Sequence, residues 1–238
     1  MANLVNPEYV IYEDWFLTDI LFIIIPVIVI ILGIILSSMY KGNGYHGKAW
    51  VLFTIAIAIW FAGEMTYQYD AEYDLEDIST LTSDILYILG YPIFFAFTAL
   101  YLKPRRKSIS KNMILVSVLI SIAFVVPTIY FTFEGEGELD SLTIFLYAIY
   151  PILDGLVLVP SIIAVTLFFK GQVNFLWTLV LFATLADILG DTLYLILAVE
   201  EAYYPGHPVD ILFLFAYVFY AFGVYSHIKL YKKPSNKK

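Results

Sequence analysis

Seven stretches of predominantly apolar residues set the terms for this chain. Each approaches or exceeds the roughly 20 residues that a helix needs to cross a hydrocarbon layer about 30 Å thick. They run Trp15–Tyr40, Trp50–Tyr67, Leu81–Leu102, Met113–Phe133, Leu142–Phe169, Val173–Val199 and Val209–Tyr231. Of the 238 residues, 61% are hydrophobic and 14% charged, against roughly 45–50% apolar in an ordinary soluble domain. No water-soluble core of this size could hide so much apolar surface. The expected fold is therefore all-α, a seven-helix transmembrane bundle forming one membrane domain over residues 1–238. The first stretch reads as a span and not as a cleaved signal, because it is too long and no basic residue precedes it.

The charges sort the connections into two kinds. All thirteen Lys and Arg fall at Lys41 and Lys48, at Lys103 to Lys111, at Lys170, and at Lys229 to Lys238. The alternate connections are acidic: Glu8, Glu13 and Asp14; Asp70 to Asp77; Glu134 to Asp140; Glu200 and Glu201. Basic loops stay in the cytoplasm. The expectation is a multi-pass protein of the cell membrane, with the segment 1–14 outside and the basic tail 232–238 in the cytoplasm. The lipid bilayer is its first partner. The connections are short, so output is expected from the bundle itself or through a separate polypeptide.

Several chemistries drop out on composition. The chain has no cysteine, which removes disulfides, thiolate catalysis and Cys-based metal centres. His46 and His227 fall at the inner boundary and His207 in an outer loop, so no metal triad of the kind a membrane zinc hydrolase needs is visible. Lys229 sits at the inner end of the last span, whereas a retinal Schiff base needs its lysine mid-helix. A net charge of −8 argues against nucleic acid, which requires clustered basic surface. With no recognisable nucleophile or metal set, the reading is of a protein that is not an enzyme and carries no cofactor.

A pattern recurs along the chain. Gly63-Glu64-x-x-Tyr67 is followed by Asp84-Ile85-Leu86-Tyr87 and then Tyr91; Gly190-Asp191-x-x-Tyr194 is followed by Asp210-Ile211-Leu212-Phe213 and then Tyr217. Pro26 in the first span and Pro151 in the fifth add a weaker match. The two copies run in the same direction across the membrane, which predicts a parallel repeat of three helices, a linking fourth helix, and three more.

Acids lie inside the spans without a base to meet them. Glu64, Asp84, Asp154, Asp187 and Asp191, with Asp210 at the mouth of the seventh helix, have no Lys or Arg in any span interior. An ionisable group at a helix centre costs about 2.5–3.5 kcal/mol on insertion scales. These acids must be protonated, hydrogen-bonded by Tyr and Thr, open to outside water, or bound to a cation. Asp187, Asp191 and Tyr194 share one face of a helix, as do Glu64 and Tyr67. The candidate ligand- or cation-binding set is Glu64, Tyr67, Asp84, Asp154, Asp187, Asp191, Tyr194 and Asp210; whether it takes a metal is left open. Two plainer roles compete: Asp84 and Asp210 also suit helix starts, and the deeper acids also suit interhelical glue. Asp19, near the outer end of the first span, reads as wet and structural.

The run Gly63-Glu64…Tyr67…Thr82-Ser83-Asp84…Tyr87…Gly90-Tyr91-Pro92, the segment Tyr150-Pro151-x-x-Asp154 and the segment Ala186-Asp187…Tyr194 resemble the multi-spanning N-terminal sensor regions of bacterial and archaeal diguanylate cyclases and histidine kinases. The resemblance implies a membrane sensor, here without a fused output domain, signalling to a cytoplasmic partner. The unpaired acids and the repeat support a second expectation, a proton or cation transporter or channel. Orientation is directly checkable. A cysteine at Asp74 or Glu136 is expected to react with an impermeant thiol reagent in intact cells, and one at Lys107 is not; the reverse pattern inverts the topology.

Overall fold

The computed structural model describes residues 17–73, 79–134, 141–200, 202–204 and 206–232. The expected outer segment 1–14, the acidic residues of 74–77 and 135–140, Glu201, and the tail beyond Lys232 lie outside the described residues. Seven helices cross the fold: α1 Leu17–Met39, α2 Gly44–Tyr73, α3 Ser79–Leu102, α4 Lys111–Glu134, α5 Ser141–Phe168, α6 Asn174–Val199 and α7 Asp210–Lys232. A short 3-10 turn, Lys103–Ser108, follows α3, and the described residues contain no strand. All seven helices are long and apolar enough to span a bilayer, which makes this a multi-pass membrane protein.

Helix α2 departs most from its expected bounds. It begins at Gly44 and runs to Tyr73, where hydropathy alone suggests Trp50–Tyr67. Helical hydrogen bonding does not require apolar side chains, so the polar turns at both ends stay helical; 30 residues rise about 45 Å, beyond the hydrocarbon layer. The turn from α1 into α2 is left-handed at Lys41, Gly42 and Gly44 (φ 54°, 60° and 65°), a conformation that glycine adopts without steric cost.

The helices close a ring. Contacts run α1 to α2, α2 to α3, α3 to α5, α5 to α6, α6 to α7, and α7 back to α1, while α4 stands outside against α5 and α6. In α1, Phe22, Val29 and Leu36 are buried, whereas Ile20, Ile24, Ile28, Ile31 and Ile35 are exposed. Only an apolar solvent makes that outward face stable. Helix α4 is inverted relative to a soluble helix. Its buried seam is Ser117, Ser121, Thr128 and Thr132, and its exposed face is Ile114, Leu115, Leu119, Ile122 and Val126. Ser121 donates to the Gly155 carbonyl of α5 (2.9 Å), and Thr128 meets Thr192 of α6 (2.9 Å). Small hydroxyl-bearing residues let helices approach where lipid supplies no hydrophobic drive between them.

Close approach inside the ring uses glycine. A Cβ on Gly63 would meet Tyr87 at 2.9 Å, and one on Gly190 would meet Phe213 at 2.7 Å. Gly90 admits the Trp60 indole, whose N–H donates to the Tyr87 carbonyl at 3.0 Å. A methyl group at Gly90 would overlap Trp60 Nε1. Gly90→Ala is expected to lower stability by about 1–3 kcal/mol, read as earlier unfolding in detergent. An unchanged melt would show that α2 and α3 do not pack through this residue.

Candidate functional site

The half of the ring nearer the acidic connections encloses a cavity of about 220 Å³. The eight residues named from the sequence all line it: Glu64, Tyr67, Asp84, Asp154, Asp187, Asp191, Tyr194 and Asp210. Asp19, assigned a structural place above, lines it as well. Helical spacing explains the convergence. Asp187, Asp191 and Tyr194 stand three and four residues apart on α6, and Asp84, Tyr87 and Tyr91 do the same on α3. No lysine or arginine belongs to the lining.

Tyrosines from neighbouring elements take the place of bases. Tyr150 of α5 donates to Asp84 Oδ1 of α3 at 2.6 Å. Tyr220 of α7 donates to Asp187 Oδ2 of α6 at 3.3 Å. Tyr203, in the α6–α7 connection, donates to Asp210 Oδ1 at 3.2 Å. Glu64 of α2 and Tyr87 of α3 line the cavity together. Burial, then the neighbouring Tyr67 and Asp210, push the Tyr203 phenol above its usual range. Tyr203 is therefore a neutral donor across the physiological pH range. Its ring lies 4.7 Å from that of Tyr194, and with Tyr67 and Asp210 these tyrosines line this end of the cavity.

The deepest set is a trio. The Tyr91 hydroxyl lies 2.9 Å from Asp154 Oδ1 and 2.8 Å from Asp191 Oδ2. A phenol has one proton to donate. The trio therefore closes as a hydrogen-bonded set only when one carboxyl group carries a proton. Tyr220 forms the floor, its ring 5.7 Å from Phe53 and 5.5 Å from Phe94.

Residue-by-residue reading of the sequence overlooked the tyrosine partners. Tyr87, Tyr91 and Tyr150 sit inside the motifs quoted above and could have been named from them. Tyr203 and Tyr220 carry no such signal. Among the described residues, no group of three or more His, Asp and Glu side chains is arranged to hold a metal ion. No protein-family model, no curated protein and no solved structure matches the chain.

Tyr91→Phe removes the one hydroxyl shared by Asp154 and Asp191. Stranding buried polar partners costs about 1–3 kcal/mol, so the variant is expected to melt earlier by that amount. Tyr225→Phe, at a 45% exposed position, is the control and should melt like the parent. Equal melts for both variants would mean that the trio contributes nothing to the fold.

Proposed function

We propose that the chain is a membrane sensor module. It takes a small, cationic, hydrogen-bonding organic ligand into the cavity from the outer side and signals through a separate cytoplasmic partner. The observation that carries this reading is the lining. Carboxylates from all six ring helices, among them Glu64, Asp154 and Asp191, meet the rings of Trp60, Tyr87 and Tyr217, with no lysine or arginine among the described residues of the lining. An ammonium group gains both from carboxylate oxygens and from aromatic faces, while an anion is repelled. An organic amine suits this lining better than a bare metal ion, because no metal-holding set is present among the described residues. The volume, about 220 Å³, falls below the roughly 300–1,000 Å³ of drug-sized sites, so the ligand is small.

Three further features support the reading. The basic loops give the orientation in which the cavity faces outward. The ring order supports a 3+1+3 repeat, since α1–α2–α3 and α5–α6–α7 make corresponding contacts around it. The Gly63–Tyr87 and Gly190–Phe213 contacts fall at matching places in the two copies. Where the first copy has the hydroxyl of Tyr87, the second has Phe213, and Asp191 meets Tyr91 across the ring. The cavity is then the place where the copies differ. The resemblance to sensor regions of cyclases and kinases points the same way.

The Tyr91–Asp154–Asp191 trio favours a second reading, a proton or cation transporter, because it needs a proton in order to close. A thermal-shift series in detergent tests the first reading. Small primary and quaternary amines are compared with neutral alcohols of equal size, on the parent and on Glu64→Gln/Asp191→Asn. Amines should stabilise the parent by an amount that grows with the logarithm of concentration, about 2.7 kcal/mol at one hundred times Kd, and the double variant should lose most of it. A shift that survives the double variant removes these acids from the site. Amine- or proton-driven flux in proteoliposomes, abolished by Asp154→Asn, would establish the transporter instead.

A further inference from the structure

The end of the ring opposite the cavity holds a second set of polar groups that the ligand site does not use. Tyr40, His46, Trp50, Tyr101 and His227 form one aromatic cluster among the basic connections. Their ring centroids lie 5.3 Å apart for Trp50 and His227, 4.5 Å for His46 and Tyr101, and 6.2 Å for Tyr40 and His227. Trp50 is fully buried and His227 is 5% exposed. The Tyr40 hydroxyl and His227 Nε2 are 3.0 Å apart. Trp50 Nε1, His227 Nδ1 and His46 Nδ1 have no hydrogen-bond partner among the described residues.

An indole nitrogen only donates. When Tyr40 donates to His227 Nε2, the neutral imidazole carries its own proton on Nδ1, and that nitrogen donates too. Two buried donors then stand side by side, with the third nitrogen, on His46, beside Tyr101. Buried polar groups in folded proteins are almost always satisfied, and an internal water is held by two to four such partners. Trp60 shows the alternative in the same fold, since its indole N–H is met by the Tyr87 carbonyl.

We infer that the basic end contains a second polar site, occupied by a tightly held water molecule that accepts from Trp50 and His227 and donates to His46. Phe53, Phe94 and Phe97, all fully buried, separate it from the cavity. Trp50 lies 5.5 Å from Phe53, and Phe53 lies 5.7 Å from Tyr220 on the cavity floor. The bundle thus holds polar sites on both sides of a single phenylalanine layer.

Nitrogen-15 indole spectra of the full chain in lipid nanodiscs test this, with the Trp50 and Trp60 resonances assigned by Trp50→Phe and Trp60→Phe. Trp50 is expected to show a cross-peak to water and to exchange at least ~10-fold faster than Trp60, whose N–H is held by the protein. Absence of the water cross-peak, with exchange no faster than that of Trp60, overturns the assignment. So does a Trp50 resonance that moves when chloride is replaced by gluconate, because the occupant would then be an anion. His227→Phe should shift the Trp50 resonance and leave that of Trp60 in place; movement of both would place the water elsewhere.

Discussion

A carboxylate in an apolar medium must find a partner, and this chain has no base inside the membrane to offer. That constraint organises the interior. Five acids of the cavity are met by a tyrosine hydroxyl, four of them by one from another helix: Tyr150 for Asp84, Tyr220 for Asp187, Tyr91 for Asp154 and Asp191. A phenol reaches farther than a serine or threonine, so it satisfies its acid while holding the helices apart. The cavity follows from that reach. Where the interior residues are Phe53, Phe94, Phe97 and Trp177, all fully buried, the same helices meet through ring contacts.

The two ends of the ring therefore differ in kind. The acidic end is held by directional bonds between tyrosines and carboxyl groups. The basic end is held mainly by ring packing, with a small polar set at Tyr40, His46, Trp50 and His227 inside it. Tyr220 belongs to both, since its hydroxyl meets Asp187 and its ring rests on Phe53 and Phe94. One side chain thus joins the hydrogen-bonded half to the packed half.

Spans and site acids were legible in the sequence for the same reason: both are expensive unless the environment suits them. Twenty apolar residues need lipid, and Asp154 or Asp187 among them needs a polar neighbour. The ends of α2 were not legible, because Tyr45, His46 and Gln68 to Tyr73 weaken hydropathy without breaking the helix. Nor was the pairing of Tyr220 with Asp187, which depends on how each helix is rotated, or that of Tyr203 with Asp210, which depends on the path of the α6–α7 connection. A helix that is apolar on both its lipid face and its core face has no contrast to reveal that rotation. The seam of α4 was available: Ser117, Ser121, Thr128 and Thr132 recur at intervals of four, seven and four along one stripe.

Helix α4 has a consequence of parity. Three consecutive crossings carry the chain from the acidic end to the basic end, and a fourth returns it before α5 begins. Without that return, α5, α6 and α7 would enter from the opposite side, and Asp210 would start its helix among lysines and not beside Tyr203. The helix that contributes nothing to the cavity wall fixes the sense in which half of that wall is threaded. Its side chains answer only to lipid and to a thin hydroxyl seam, so evolution can rewrite most of them while the count of crossings stays fixed.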